Sequence, residues 1–251
     1  MVNILVNRIL IEDIDLVIFD KDGTLIDLYT YWSSMIRLRA ELLQEKLDLT
    51  DEQTDQVIYE MGVDERNLRL RPEGPVGILK REIVTKAAAD YLKSLGHENT
   101  MELCVEVFKK IDEVSLDKLD KLIKPIDGMY DFIGALKGND CKIAIATTDK
   151  SYRAKLAMNF LKIDNAIDMI VGVDEVENGK PAPDMIHKIC KKLDVPPSKT
   201  AMVGDAITDV KMGVNAKVKV SIGVSTGITP KHKLLEITDD VVDSIADIRL
   251  V

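Results

Sequence analysis

Five strand-length segments, apolar almost throughout and each followed or preceded by a helical pattern, constrain this chain more than any other feature. They are "DLVIFD" at 15–20, "KIAIATT" at 142–148, "DMIVG" at 168–172, "TAMVGD" at 200–205 and "VKVSIGV" at 218–224. A strand exposed on one face alternates apolar and polar residues. A strand covered on both faces does not, and such strands belong to parallel sheets flanked by helices. The helices are legible between them: "MYDFIGALKG", "SYRAKLAMNFL", "PDMIHKICKKL" and "TDVKMGVNA". This alternation predicts an α/β fold with a Rossmann-like parallel sheet. "DDVVD" is a candidate final short strand, and "NILVNRILI" an extra strand or hairpin at the N-terminus.

The alternation is interrupted. From Leu28 to about Ile123 the spacing of apolar residues is helical and no strand is predicted. Trp32, Met35, Ile36, Leu43 and Leu47 make one helical stripe, read as core. Thr50 with Gln53 forms a capping box that opens the next helix, and Gly62 stops it. A further helix closes at Gly96, and Asn99 with Glu102 opens another that runs towards Leu122. The predicted organisation is a discontinuous core, residues 1–27 and 125–251, and an α-helical insert, residues 28–124, acting as a cap. Hinges are expected at Asp27–Leu28 and Lys124–Gly128. Open α/β sheets bind ligands beyond the C-terminal ends of their strands, where such a cap would close.

The same strand ends carry polar residues that cost free energy unless something compensates them. "VIFDKDGTL" leaves the core on Asp20, Lys21 and Asp22 and turns at Gly23. "KIAIATTD" ends on Thr147, Thr148 and Asp149; "GKPAPD" carries Lys180; "GDAITD" carries Asp205 and Asp209 on one face of the following turn. In a parallel sheet these ends share one edge. Clustered carboxylates suit a hard cation, and Mg²⁺ joins one or two of them to a phosphate. That chemistry is phosphoryl transfer. Asp20, the last strand residue, is the candidate nucleophile, and an aspartyl-phosphate would form on it. Asp22 is the candidate general acid and then base. Lys180 and the Thr147 hydroxyl would stabilise the transferring group, and the backbone N–H groups of residues 21–23 form an anion cradle. Asp149 and Asp184 read instead as helix caps.

"DKDGTL", "TT" after a strand, "GKPAPD" and "GDAITD" occur in the order and with the spacing of the haloacid dehalogenase (HAD) superfamily, which the chain resembles over nearly its whole length. The helical insert between the first and second motifs is similar to the subgroup of phosphoglycolate phosphatases and β-phosphoglucomutases. The resemblance implies Asp20 as nucleophile, Asp22 as acid/base, and phosphate binding by Thr147, Thr148 and Lys180. It implies Mg²⁺ held by Asp20, Asp22 (through its main-chain carbonyl), Asp205 and Asp209. Thr148 stands where relatives often have Asn, so a backbone contact survives there and a side-chain amide contact does not.

Asp22 separates the branches of the superfamily. The dehalogenase branch has no acid at this position, and the phosphonate-cleaving branch typically has no carboxylate there. A phosphatase acting on a small phosphate monoester is therefore expected. A phosphomutase keeps the same Asp pair and is the alternative; a non-catalytic phosphate-binding protein is another. The loop "RLRPEGPVG", with Arg69, Arg71 and Glu73, is the insert's most site-like stretch and is expected to contact the substrate.

Net charge is −9 with no long basic run, which argues against a nucleic-acid partner. No signal peptide or membrane-length apolar run is read, so a cytoplasmic protein without a membrane partner, monomer or homodimer, is expected. The three cysteines, Cys104, Cys141 and Cys190, are scattered and read as reduced and buried.

Overall fold

The computed structural model describes residues 1–71, 73–77, 80–115 and 122–251. It divides into two compact units, Met1–Asp27 with Pro125–Val251, and Leu28–Lys124.

The first unit is built on a six-stranded sheet of order β10-β9-β8-β3-β6-β7 in which every pairing is parallel. Its strands are β3 (Leu16–Phe19), β6 (Lys142–Thr147), β7 (Met169–Gly172), β8 (Thr200–Gly204), β9 (Val220–Val224) and β10 (Val241–Val242). Every residue of β3, β8 and β9 is buried, which is why these runs lack polar alternation. Five helices, α5 (Met129–Gly138), α6 (Ser151–Phe160), α7 (Asp184–Leu193), α8 (Ile207–Ala216) and α9 (Lys231–Leu234), belong to this unit. Met185, Ile186 and Ile189 of α7 and Met212 of α8 pack on Leu16, Ile18, Ala144 and Met202. Phe132 of α5 meets Phe19 edge-on, ring centres 5.9 Å apart. Side chains alternate along β3, so Ile18 and Phe19 serve opposite faces and both faces are covered.

The register aligns the strand ends that matter. Phe19 pairs with Ile145 on one side and Val203 on the other. The residues that follow, Asp20 and then Thr147 and Asp205 one step further along their strands, therefore emerge at one edge. The chain leaves β3 for β6 and β7 on one side, then crosses to β8 on the other. That reversal leaves a crevice at the end of β3.

The N-terminal stretch forms a hairpin, β1 (Val2–Val6) and β2 (Ile9–Ile14). Asn7 (φ 48°) and Arg8 (φ 69°) take the left-handed conformation that a two-residue hairpin turn needs. β11 (Arg249–Leu250) pairs with β1 to complete a three-stranded antiparallel sheet.

The second unit holds α1 (Leu28–Leu47), α2 (Asp51–Glu60), α3 (Arg81–Ser94) and α4 (Thr100–Val114). The Thr50–Gln53 capping box is present, with Gln53 N–H donating to Thr50 Oγ1 at 3.2 Å and Thr50 N–H to Gln53 Oε1 at 2.9 Å. α4 ends at Val114, and the rest of the helix expected towards Leu122 falls largely on residues 116–121, outside the described residues. The strand-free reading of the insert is corrected by a small antiparallel pair, β4 (Val63–Asp64) with β5 (Arg69–Leu70). Two-residue strands carry no period to read. Asp64 holds the turn, accepting from Asn67 N–H at 3.2 Å and Asn67 Nδ2 at 2.8 Å. Trp32 is half-buried and meets Tyr31 edge-on at 5.2 Å. The cysteines are free and buried. Among the described residues no helix is long and apolar enough to cross a membrane.

Candidate active site

Asp20 extends β3 by one step, its N–H donating to Val203 O at 2.9 Å. The chain then closes a tight loop. Lys21 O accepts from the N–H groups of Leu25 and Ile26, both at 3.0 Å, and Gly23 N–H donates to Ile26 O at 2.8 Å. Gly23 has φ +89°, and a Cβ there would lie 2.5 Å from the Asp205 carboxylate. Both backbone conformation and space therefore require glycine.

Asp205 follows β8 and is 2% exposed. Its Oδ1 accepts from Thr24 Oγ1 at 3.0 Å and its Oδ2 from Ile228 N–H at 3.2 Å. A Cβ at Gly227 would fall 1.8 Å from Oδ2, so a second glycine walls the carboxylate. Thr226 Oγ1 donates to Gly23 O at 2.6 Å and joins the two walls. Asp205 precedes α8, whose N-cap is Ala206, rather than sharing a helix face with Asp209. Asp209 reaches back along α8: its Oδ2 accepts from Ala206 N–H at 2.9 Å.

Lys180 Nζ lies 2.5 Å from Asp20 Oδ1 and 2.6 Å from Asp209 Oδ1. One ligand oxygen each from Asp20, Asp205 and Asp209 lies within 4.8 Å of the others, and all three residues are buried. Two of the three carboxylates, Asp20 and Asp209, thus share the Lys180 ammonium. Burial pushes the Asp20 carboxyl up to about 6 despite Lys180. Burial, with the charges of Asp20 and Asp209, holds Asp205 well above the usual carboxylate range. Burial alone would depress Lys180, but Asp20 and Asp209 override it and hold its ammonium above the ordinary lysine value.

Asp22 lies outside that triad. Its two oxygens accept from Lys21 Nζ at 2.6 and 2.7 Å, and burial raises its carboxyl against the opposing pull of Lys21. Thr147 is buried, and its Oγ1 accepts from Asp149 N–H at 3.1 Å, leaving its O–H free to donate elsewhere. Thr148 is exposed.

The two carboxylates read as helix caps have other partners. The N-cap of α6 is Lys150, and Asp149 Oδ2 lies 3.5 Å from Lys21 Nζ while its Oδ1 lies 3.5 Å from Arg153 Nε. The N-cap of α7 is Pro183; Asp184, its first residue, accepts from Asn178 N–H and Nδ2. A motif-bound aspartate next to a strand end was the signal for Asp149. The segment Thr226–Ile228 was missed, although it too follows a strand of the same sheet.

In the second unit Arg69 Nε pairs with Asp64 Oδ2 at 3.2 Å. Arg71 is more fully engaged: Nε on Glu73 Oε1 at 3.2 Å, NH1 on Tyr59 O at 2.9 Å, and the guanidinium 4.0 Å above the Tyr59 ring. Arg71 anchors its own loop. Pro72, part of the same sequence stretch, lies outside the described residues.

Curated relatives include the pyrophosphatase PpaX of Bacillus cereus, 30% identical over 128 residues, covering 46% of this chain and 59% of the relative. The PpaX of Halalkalibacterium halodurans is 32% identical over 141 residues, covering 56% of this chain and 64% of the relative. The chain thus spans less than two thirds of the length of either. Among solved structures, a predicted phosphoglycolate phosphatase from Haemophilus somnus superposes with a TM-score of 0.69 at 17% identity, covering 94% of this chain and 96% of the other. A β-phosphoglucomutase from Clostridium difficile gives 0.59 at 19% identity, covering 93% and 92%. These two likenesses are of fold. The family model of haloacid dehalogenase-like hydrolases matches residues 14–217, which span β3 through α8 and every residue of the acidic cluster. The chain belongs to the haloacid dehalogenase-like hydrolase family.

Proposed function

We propose that this chain is a Mg²⁺-dependent phosphatase that hydrolyses a small phosphate monoester through a phosphorylated Asp20. The observation that carries the reading is the buried set of Asp20, Asp205 and Asp209 around Lys180, at the end of the central strand. Relatives named pyrophosphatase support phosphoryl chemistry.

The donor set fits a hard divalent cation. Three buried carboxylates against one ammonium leave negative charge that a cation would offset, and oxygen is the donor Mg²⁺ prefers. Asp20, Asp205 and the carbonyl of Asp22 would hold it, with Asp209 behind. A bound Mg²⁺ neutralises phosphate charge, so that a carboxylate can approach the phosphorus.

Asp20, fixed by its strand hydrogen bond, attacks phosphorus; the new P–O bond forms as the bond to the leaving oxygen breaks. Asp22 gives that oxygen a proton. Lys180, the Thr147 hydroxyl and the backbone N–H groups of residues 21–23 hold the phosphoryl oxygens. Asp22, now a carboxylate, takes a proton from water as it attacks phosphorus. The Asp20–phosphorus link breaks, and inorganic phosphate and the free carboxylate remain. The core residues spend their polar groups on phosphate and cation, so we assign the reading of the leaving group to the helical unit, acting as a cap.

The test is a panel of phosphorylated sugars, polyols, glycolate, nucleotides and pyrophosphate assayed with Mg²⁺. Release of phosphate from one class, lost on chelation, supports the reading. Transfer of the phosphoryl group between sugar hydroxyls without net release would make the chain a mutase. No turnover of any member would contradict both.

A further inference from the structure

Lys21 lies between the two carboxylates of the first motif, yet its side chain is only 2% exposed. A buried ammonium needs charged partners to offset its desolvation. Lys180 pairs with Asp20 and Asp209, whereas Lys21 pairs with Asp22 and Asp149. Successive side chains of an extended segment point to opposite sides, and Lys21 is directed to Asp22 and Asp149. Its Nζ takes both Asp22 oxygens, at 2.6 and 2.7 Å, and sits 3.5 Å from Asp149 Oδ2. Asp149 is held in turn by Lys150 N–H at 2.8 Å and by Arg153 of α6 at 3.5 Å. Asp22, Lys21, Asp149 and Arg153 therefore form a chain of alternating charge from the first motif to α6.

We propose that Lys21 is a positioning residue for Asp22: its ammonium fixes the orientation of the Asp22 carboxylate and ties it, through Asp149, to the segment after β6. The proposal rests on the phosphatase reading, in which Asp22 serves the leaving oxygen. A carboxylate on a tight turn has two rotatable bonds, whereas proton transfer needs a heavy-atom approach of about 2.6–3.2 Å. An ammonium that grips both oxygens removes that freedom. It uses two of the four lone-pair sites of the carboxylate and leaves the others for the leaving oxygen and for water.

The test compares kcat/KM for an alkyl phosphate and for an activated aryl phosphate in wild type, Asp22→Asn, Lys21→Met and Asp149→Asn. The alkoxide needs a proton as it leaves; the activated aryl oxide does not. Asp22→Asn is expected to lower the alkyl value far more than the aryl value. Lys21→Met is expected to show the same split, with the alkyl value down about tenfold to a hundredfold, the scale of a misplaced catalytic group. Asp149→Asn, on a partly exposed side chain, is expected to show a weaker split in the same direction and carries the test if Lys21→Met does not fold. Equal losses on both esters, or none, in Lys21→Met and Asp149→Asn beside a split in Asp22→Asn would overturn the positioning role alone. An unsplit Asp22→Asn would remove the acid role of Asp22, and this proposal with it; absence of turnover in wild type would instead overturn the phosphatase reading.

Discussion

Asp20 is held by the strand ladder, faces Lys180 at 2.5 Å and is nearly excluded from water. Its folded-state carboxyl stands at about 6, above the ordinary 3.8. The native protein therefore binds more protons than the unfolded chain between those values, and stability falls as pH rises through that window. Without divalent cation, thermal stability is expected to increase as pH is lowered from 7 to 5, by about 1 kcal/mol in order of magnitude from this group. Asp20→Asn should flatten that slope, and a slope of the same size in the variant would contradict the assignment. Lys180→Met should lower stability by about 3–5 kcal/mol, because it leaves buried carboxylates without their cation; added Mg²⁺ should restore part of the loss in a thermal melt. Asp20 and Asp205 were legible because each follows a strand, and Lys180 because it lies in a Gly- and Pro-bounded motif; Asp209 was read on a helix face shared with Asp205, whereas it reaches back from within α8. The pairing of Lys21 with Asp149 was not, because nothing in a linear motif says which way the middle side chain turns.

At the scale of elements, the turn after β3 and the loop after β9 work as two walls around Asp205. Both walls are glycine, and at Gly227 a Cβ would overlap the carboxylate outright. Gly227→Ala must push Asp205 or the loop aside. The Mg²⁺ concentration for half-maximal activity is expected to rise about 10–100-fold, the usual cost of disturbing the support of a metal ligand, while circular dichroism stays native. An unchanged Mg²⁺ requirement would contradict this role. The buried strands β3, β8 and β9, and β6 beyond its half-buried first residue, were readable from apolar runs alone. β4, β5 and β11 were not: each spans two residues, and their pairing depends on turns and partners far along the chain. The helix expected to begin on an Asp149 cap begins one residue later, with Lys150 as its N-cap, and Asp149 pairs with Lys21 and Arg153.

At the scale of the molecule, a parallel-sheet unit, to which we assign the phosphate chemistry, is joined to a helical unit, to which we assign the choice of leaving group. The boundary was legible as a change from strand-helix alternation to continuous helical spacing. The function of each loop in the insert was not, since a surface arginine that anchors a loop and one that reads a substrate look alike in sequence. Arg71→Ala is expected to lower the melting stability by about 1–3 kcal/mol, as a backbone hydrogen bond and a cation–π contact are lost. Arg69, with its side chain 59% exposed, should leave stability nearly unchanged when replaced by Ala. Its effect, if it reads substrate, is a lower kcat/KM for the true substrate with little change for a small aryl phosphate. A constant ratio between the two substrates would remove Arg69 from the specificity surface. The central claim is that Asp20 carries the phosphoryl group. It is tested most directly by acid-quenching Asp22→Asn during turnover of an activated aryl phosphate, since loss of the base slows release from Asp20, and reducing the trapped acyl phosphate with borohydride. Homoserine at position 20 by mass spectrometry, absent when Asp20→Asn is added, is the predicted result; full phosphate release by Asp20→Asn, with position 20 never modified, would contradict it.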